Sequence, residues 1–310
     1  MEKTIFTKYG KKNLSGKPRH LKAKIPKGSN YLGIKKSLKE RNLNTVCEEA
    51  KCPNLGECWD QKTATMMILG DICTRACKFC NVKTGNPKGW LDTEEPSKAS
   101  EMVTLMGLQY LVVTSVDRDD LPDYGAGHFA SVVEKISVDH PEVKVEVLIP
   151  DFGVVPEHMN TLAKSNPFVI AQNLETVERL TAQVRDRRAG YDKTINALKY
   201  YKENFPEIAT KTSLMVGLGE TKEELVQAMT DLHKVGVNII TFGQYLRPSL
   251  AHLEVQRYYE VEEFDHLKKI AYDIGFEFVA SGPMVRSSYK AADYFKFLNE
   301  KLGEEKNWNS

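Results

Sequence analysis

From about residue 64 onward, short apolar runs alternate with segments in which apolar residues recur three and four positions apart. The runs have the length of buried strands, and the spaced segments have the period of an α-helix. Six strands are predicted, over Ala64–Gly70, Tyr110–Val116, Val143–Ile149, Phe168–Asn173, Ala209–Val216 and Val237–Phe242. Helices are predicted over Ser97–Leu108, Gly127–Val138, Glu157–Lys164 and Tyr191–Asn204, from Thr221 onward, and over Tyr289–Leu302.

This alternation predicts parallel βαβ units and therefore an α/β fold. Thr221 and Glu224 have the spacing of a capping box, which predicts that a helix begins at this point. We expect an N-terminal extension over residues 1–62, a central α/β unit over residues 63–282 and a short C-terminal extension over residues 283–310. In parallel arrangements of this kind, ligands collect at the carboxyl ends of the strands.

The charge of the chain is balanced, with 43 basic and 42 acidic residues. No strong overall field therefore favours a nucleic acid as partner. No run of about 18 or more apolar residues occurs, so a membrane span is not expected. The first thirty residues contain nine basic residues and one acidic residue. This basic arm could dock an acidic partner, although a solvated tail is the simpler interpretation.

All six cysteines lie between positions 47 and 80, in two triplets of different spacing. The first triplet is Cys47, Cys52 and Cys58, and the second is Cys73, Cys77 and Cys80. Thiolates favour zinc, copper(I) and iron–sulfur clusters, and each triplet is one ligand short of a four-ligand site. Zinc and disulfides are the alternatives, but zinc sites usually combine C-x2-C pairs or histidines, and no histidine lies between Cys47 and Cys80. Two incomplete ligand sets predict two metal centres, each open to a further ligand.

The second triplet, with Phe79 before its last cysteine, resembles the C-x3-C-x2-C signature of radical S-adenosylmethionine enzymes. The resemblance implies a partial (β/α)6 barrel in which the three thiolates hold three irons of a [4Fe–4S] cluster. The fourth iron would bind S-adenosylmethionine. One electron from the cluster would cleave this cofactor, and the 5′-deoxyadenosyl radical would take hydrogen from unactivated carbon.

The first triplet and its flanking residues resemble the lipoyl synthase family within that superfamily. The matching stretches are TVCEEAKCPN-GECW over Thr45–Trp59, ILGDICTRACKFC over Ile68–Cys80, VGLGET over Val216–Thr221, GQYLRPS over Gly243–Ser249 and GPMVRSSY over Gly282–Tyr289. The resemblance covers the chain from about residue 20 to about residue 292. It implies two [4Fe–4S] clusters, one at each triplet.

Several residues at predicted strand ends are candidates for contact with S-adenosylmethionine. The resemblance assigns Ser115 and Asp117 to the methionine amino group. Asn173 and Glu175 could meet the ribose or the methionine, and Arg185 could pair with the carboxylate. Gly217 and Gly219 would allow the backbone to approach the adenine. The alternative for all of them is that they complete turns and helix caps.

The fourth ligand of the first cluster cannot be a cysteine, because both triplets are already used. The resemblance points instead to Ser288, in the Arg-Ser-Ser-Tyr segment. Oxygen is a harder ligand than thiolate and suits iron–sulfur chemistry less well, so an iron held in this way could leave when the cluster is consumed. The alternative is that Ser287 and Ser288 cap the following helix.

The implied reaction is insertion of two sulfur atoms at C6 and C8 of an octanoyl chain that is attached to a lipoyl-carrier domain. The second triplet would generate the radical, and the first cluster would donate the sulfur. Implied partners are octanoylated carrier domains, either the E2 subunit of 2-oxoacid dehydrogenases or the glycine cleavage H protein, and an electron donor such as flavodoxin or ferredoxin. We expect the protein to be a monomer. We also expect it in the cytoplasm, or in an organelle matrix in a eukaryote, because metal-binding thiols need a reducing compartment.

Other functions also use such cysteines. A methylthiotransferase usually carries an additional RNA-binding domain, and none is apparent here, whereas biotin synthase lacks the upstream C-x4-C-x5-C motif. A non-catalytic iron–sulfur carrier would not need six βα units and would not cleave S-adenosylmethionine. A zinc-binding interaction module would be colourless, whereas two iron–sulfur clusters would make the protein brown.

Overall fold

The structure is a computed structural model that describes residues 18–21, 54, 59, 63–288 and 291–301. The three cysteines of the first triplet, Cys47, Cys52 and Cys58, lie outside the described residues. So does nearly all of the basic arm. None of the described helices has the length and apolar character that crossing a bilayer requires.

A parallel sheet of seven strands forms the centre of the fold, in the order β1-β4-β5-β6-β7-β8-β9. Its strands are β1 (Thr63–Ile68), β4 (Tyr110–Ser115), β5 (Lys144–Leu148), β6 (Val169–Ala171), β7 (Ala209–Val216), β8 (Ile239–Gln244) and β9 (Phe278–Gly282). Two short strands, β2 (Ile72–Cys73) and β3 (Lys83–Thr84), pair beside it around the second cysteine triplet. Because every strand of the large sheet runs in the same direction, the loops after the strands meet at one edge.

Eight α-helices occur among the described residues. They are α1 (Glu95–Met106), α2 (Ala126–Asp139), α3 (Pro156–Lys164), α4 (Glu178–Val184), α5 (Tyr191–Asn204), α6 (Lys222–Lys234), α7 (Val261–Ile274) and α8 (Ala291–Lys301). Leu111 and Val113 of β4 pack against Met102 and Phe129 of α1 and α2 in one large apolar core. The strands are buried on both faces, as parallel sheets are.

Helix α8 packs on the opposite face of the sheet from α1 and α2. Ala291 and Ala292 contact Tyr110 and Val112, which alternate along β4 with the residues that face α1 and α2. Tyr294 contacts Val169 and Ile239, near the starts of β6 and β8. Helix α8 therefore covers the inner side of the sheet, below its carboxyl edge.

The α/β fold, its parallel sheet and the six predicted strands are confirmed. The capping box at the start of α6 is also present, with hydrogen bonds of 2.8 and 3.2 Å between Thr221 and Glu224. The sequence analysis missed α4, α7 and the seventh strand of the sheet, β9. A signal for α7 was present, since Phe264, Leu267 and Ala271 have helical spacing and are buried. Helix α4 has 7 residues, too few for a clear periodic pattern.

Candidate active site

A cavity of about 270 Å³ opens at the carboxyl ends of β1, β4, β5 and β6. Ten residues predicted from sequence line it: Cys73, Cys77, Phe79, Cys80, Ser115, Asp117, Asn173, Glu175, Arg185 and Ser288. They come from five separate segments of the chain, and the parallel topology brings these segments together.

The three cysteines of the second triplet line this cavity. Cys73 ends β2, and Cys77 and Cys80 lie on the loop between β2 and β3. Burial raises the pKa of Cys73 to about 12, and the nearby Asp117 carboxylate adds to the effect. Burial likewise raises the pKa of Cys77 to about 11 and raises that of Cys80. Without a metal these thiols stay protonated at neutral pH, so a metal must displace their protons when it binds.

Arg75, between the first two cysteines of this loop, anchors the loop to two strand ends. Its guanidinium is 5% exposed and donates hydrogen bonds to both oxygens of Asp119 and both oxygens of Asp151. It also lies 3.2 Å from Asp117. Burial still raises the pKa of Asp117, although the Arg75 charge acts in the opposite direction. The sequence analysis missed this residue, whose only signal was a basic side chain within a metal-binding motif.

Four buried polar atoms in the cavity wall have no hydrogen-bond partner among the described residues. They are Ser115 Oγ, Gln172 Oε1, Asn173 Oδ1 and Arg185 Nε. Buried polar atoms are almost always paired, so these four atoms are available to hydrogen-bond a ligand. Hydrogen-bond donors and acceptors on a polar, zwitterionic ligand such as S-adenosylmethionine fit this set.

Two carboxylates accompany these unpaired atoms. Glu175 accepts a hydrogen bond of 3.0 Å from Asn173 Nδ2 and has a positive φ of 71°. Strained backbone of this kind is concentrated at functional sites. Burial raises the pKa of Glu175, while the charge of Arg185 opposes the shift. The cavity lining also includes Asp151 and Arg75, which bond each other. Asp117, Glu175 and Arg185 are the remaining charged groups of the lining, and they suit a ligand that carries both an amino and a carboxylate group.

Gly217 and Gly219 do not line the cavity. Their φ angles of 99° and 108° favour glycine, and a Cβ on Gly217 would lie 2.5 Å from the Arg257 carbonyl oxygen. The backbone N–H of Gly217 donates to Glu220. Turn geometry thus explains both glycines locally, and their contact with adenine stays a prediction.

Ser288 and Ser287 line the same cavity as the second triplet. Helix α8 begins at Ala291, whose backbone N–H donates to the Ser288 carbonyl oxygen at 3.3 Å. Ser288 therefore stands both at the start of α8 and in the cavity wall. Four residues earlier, the Met284 carbonyl accepts a hydrogen bond of 2.6 Å from Asn54, which stands between Cys52 and Cys58 in the sequence.

Residues 67–232 match the radical SAM superfamily, and residues 4–52 match the N-terminal domain of lipoyl synthase of the radical SAM family. The chain is 54% identical over 284 residues to a lipoyl synthase of Marinobacter nauticus, covering 92% of this chain and 82% of the relative. It is also 54% identical to a lipoyl synthase of Francisella tularensis subsp. novicida, covering 91% and 86%.

Solved structures give the same fold at low sequence identity. Methylornithine synthase (PylB) superposes with a TM-score of 0.52 at 12% identity, over 92% of this chain and 90% of the other. The FeFe-hydrogenase maturase HydG of Carboxydothermus hydrogenoformans superposes with a TM-score of 0.53 at 13% identity, over 88% and 78%. These structures show the fold alone. The sequence relatives and the family models show that the chain belongs to the lipoyl synthase family of radical S-adenosylmethionine enzymes.

Proposed function

We propose that this protein inserts two sulfur atoms, at C6 and C8, into an octanoyl chain carried on a lipoyl-carrier domain. The observation that supports this proposal most strongly is that Ser288 and the second cysteine triplet open onto one cavity. A reaction that needs a carbon radical and a sulfur donor requires both centres to reach the same substrate atom.

Cys73, Cys77 and Cys80 hold the radical-generating cluster. The chemistry supplied by this cluster together with S-adenosylmethionine is reductive cleavage of the cofactor to methionine and 5′-deoxyadenosine, with removal of a substrate hydrogen. Asp117 and Arg185 bind the amino and carboxylate groups of the cofactor, and Ser115, Asn173 and Glu175 complete its polar contacts. Leu148, Ile149 and Met67 give the cavity an apolar part, which suits an octanoyl chain and keeps water from the radical.

Cys47, Cys52, Cys58 and Ser288 hold the second cluster, which is the source of sulfur. Asn54 supports this assignment because its hydrogen bond to Met284 joins the segment of the first triplet to the segment of Ser288. Trp59, one residue after Cys58, is 4% exposed and packs into the large core. Asn54 and Trp59, both buried, thus stand on either side of Cys58 in the sequence.

The substrate reaches the site as a lysine-linked octanoyl chain on a carrier domain, from the E2 subunit of a 2-oxoacid dehydrogenase or the glycine cleavage H protein. A one-electron donor such as flavodoxin or ferredoxin reduces the cluster. We propose that the protein acts as a monomer.

The test is an anaerobic single turnover with an octanoylated carrier peptide, followed by mass spectrometry of the peptide and quantification of 5′-deoxyadenosine. The proposal expects two added sulfurs and two molecules of 5′-deoxyadenosine for each product. Ser288→Ala should cleave S-adenosylmethionine but add little or no sulfur. Ser287→Ala is the matched control, because Ser287 lines the same cavity, and it should retain both activities. An unchanged peptide alongside intact S-adenosylmethionine would overturn the proposal.

A further inference from the structure

The loop that carries the second triplet is held from outside the cavity by the residues that follow α4. The backbone N–H of Asp186 donates to the Cys77 Sγ at 3.3 Å. The Asp186 carboxylate accepts a hydrogen bond of 2.9 Å from the Ala76 N–H. The Lys78 N–H donates to the carbonyl of Val184, the last residue of α4, also at 2.9 Å. Three consecutive residues of the cysteine loop are therefore bonded to one short segment.

Arg188 completes this arrangement by joining the same segment to the start of the cysteine loop. Its Nε donates to Asp186 Oδ1 at 2.9 Å, and its Nη2 donates to the Thr74 carbonyl at 2.5 Å. Its Nη1 also lies 3.2 Å from Asp119. The Arg188 side chain is 40% exposed, whereas that of Asp186 is 9% exposed. The guanidinium holds the pKa of Asp186 well below its usual range, so the aspartate is ionised throughout the physiological range.

We propose that Asp186 and Arg188 are positioning residues that raise the reduction potential of the cluster at Cys73, Cys77 and Cys80 by fixing the N–H···S hydrogen bond to Cys77. Hydrogen bonds to the cluster sulfurs are among the features that set the potential of iron–sulfur centres. A donor directed at a thiolate stabilises the reduced cluster, which carries one more negative charge. The inference rests on the proposed cluster site, but it does not depend on sulfur insertion.

The two side chains have opposite direct effects on the cluster, and the experiment must separate these from positioning. Removing the negative charge of Asp186 alone would favour the reduced cluster, and removing the positive charge of Arg188 alone would disfavour it. The double variant Asp186→Ala/Arg188→Gln removes one charge of each sign, so the direct effects largely cancel. What remains is the loss of the contacts that hold the Asp186 N–H against Cys77.

The measurement is an anaerobic redox titration of the reconstituted full-length protein, in which a low-potential chemical reductant adds one electron to the oxidised cluster. Electron paramagnetic resonance follows the reduced form. The signal of this cluster is identified as the one that changes when S-adenosylmethionine is added. We expect the double variant to be reduced with an equilibrium constant about tenfold smaller, which for one electron is a shift of about 59 mV to more negative potential.

A conservative variant and a distant control make the outcome specific. Asp186→Asn/Arg188→Gln keeps an oxygen that accepts from the Ala76 N–H and should recover part of the shift. Lys199→Gln/Glu203→Gln removes an exposed ion pair on α5 with the same cancellation of charge and should leave the potential unchanged. Failure to bind the cluster in a variant that unfolds at the wild-type temperature would also support the positioning role. An unchanged potential in the Asp186→Ala/Arg188→Gln protein, with wild-type iron content, would overturn the inference.

Discussion

Asn54 and Met284 are 230 positions apart in the sequence and are joined by a hydrogen bond of 2.6 Å from the Asn54 side-chain amide to the Met284 carbonyl. Asn54 is 5% exposed, and Met284 is half-buried. Asn54 lies within the first cysteine triplet, and Met284 lies four residues before Ser288. The bond therefore joins the two segments that we propose to share the second cluster.

Substitution of Asn54 with leucine should impair the second cluster without affecting the first. The variant keeps the approximate shape but removes the amide that bonds the half-buried Met284 carbonyl, at a cost of about 1 kcal/mol. We expect its iron content to fall from two clusters toward one, and sulfur insertion to fall with it, while cleavage of S-adenosylmethionine persists. Asn160→Leu is a control, because it removes an amide of α3 that bonds Tyr200. Normal iron content in the Asn54→Leu protein would contradict the prediction.

Arg185 should contribute to the affinity for S-adenosylmethionine. Its Nη1 is held by Thr194 at 3.0 Å, which leaves its unpaired Nε for the ligand. A hydrogen bond from a charged group contributes about 1.5–3 kcal/mol, so Arg185→Gln should weaken equilibrium binding about tenfold or more.

Two further variants show whether the effect on binding is specific to this guanidinium. Arg185→Lys should restore part of the affinity, because it restores the charge without the planar group. Arg187→Gln removes an exposed neighbouring charge and should bind S-adenosylmethionine like the wild type. Equal affinity in all three variants would rule out the proposed contact.

The thiols of the second triplet should be slow to alkylate in the metal-free protein. Thiolate is the reactive form, and burial raises the pKa to about 12 for Cys73 and about 11 for Cys77. The thiolate fraction of an unperturbed cysteine levels off above its pKa of about 8.5. Because the pKa values of Cys73 and Cys77 are higher, their thiolate fractions, and so their alkylation rates, should keep rising about tenfold for each pH unit above that value. Site-resolved mass spectrometry of iodoacetamide-treated protein checks this, and a plateau near the ordinary cysteine pKa at both sites would disprove it.

Lys211 and Glu146 form a buried ion pair on the inner face of the sheet, with a separation of 2.7 Å. The Tyr110 hydroxyl donates to the second oxygen of Glu146 at 2.9 Å. Lys211→Met leaves the carboxylate buried without its counter-charge, so we expect the free energy of unfolding to fall by about 3–5 kcal/mol. The double variant Lys211→Met/Glu146→Gln should recover much of this loss, since the amide oxygen still accepts from Tyr110.

The control for this stability measurement is Lys199→Met, which breaks an exposed ion pair with Glu203 and should cost less than about 1 kcal/mol. Denaturant unfolding measures all three proteins. If Lys211→Met were no less stable than Lys199→Met, the buried pair would not stabilise the fold in this way.

Much of the fold was accessible from sequence because parallel strands are continuous apolar runs. Strand β7 and helix α5 have the predicted bounds, and most other elements differ by one or two residues. Helix α7 and strand β9 were missed, although Phe264, Leu267 and Ala271 had helical spacing. The inward packing of α8 could not be predicted, because a helical period shows which face is apolar but not which side of a sheet it covers.

The candidate site was predictable where a motif fixes local chemistry. Cys73, Cys77 and Cys80 follow from spacing, and the strand-end residues follow from topology. Arg75 was missed because its role depends on Asp119 and Asp151, which are separated from it by 44 and 76 positions. Asp186 was missed for the same reason, since its contact with Cys77 spans 109 positions.

In the proposed reaction, one centre makes the radical and the other gives up sulfur. The most direct test compares Cys47→Ala with Cys73→Ala in an anaerobic single turnover that measures 5′-deoxyadenosine and sulfur addition together. Cys47→Ala is predicted to form 5′-deoxyadenosine but add no sulfur, and Cys73→Ala to do neither. Two sulfurs added to the octanoyl peptide by the Cys47→Ala protein would contradict the account.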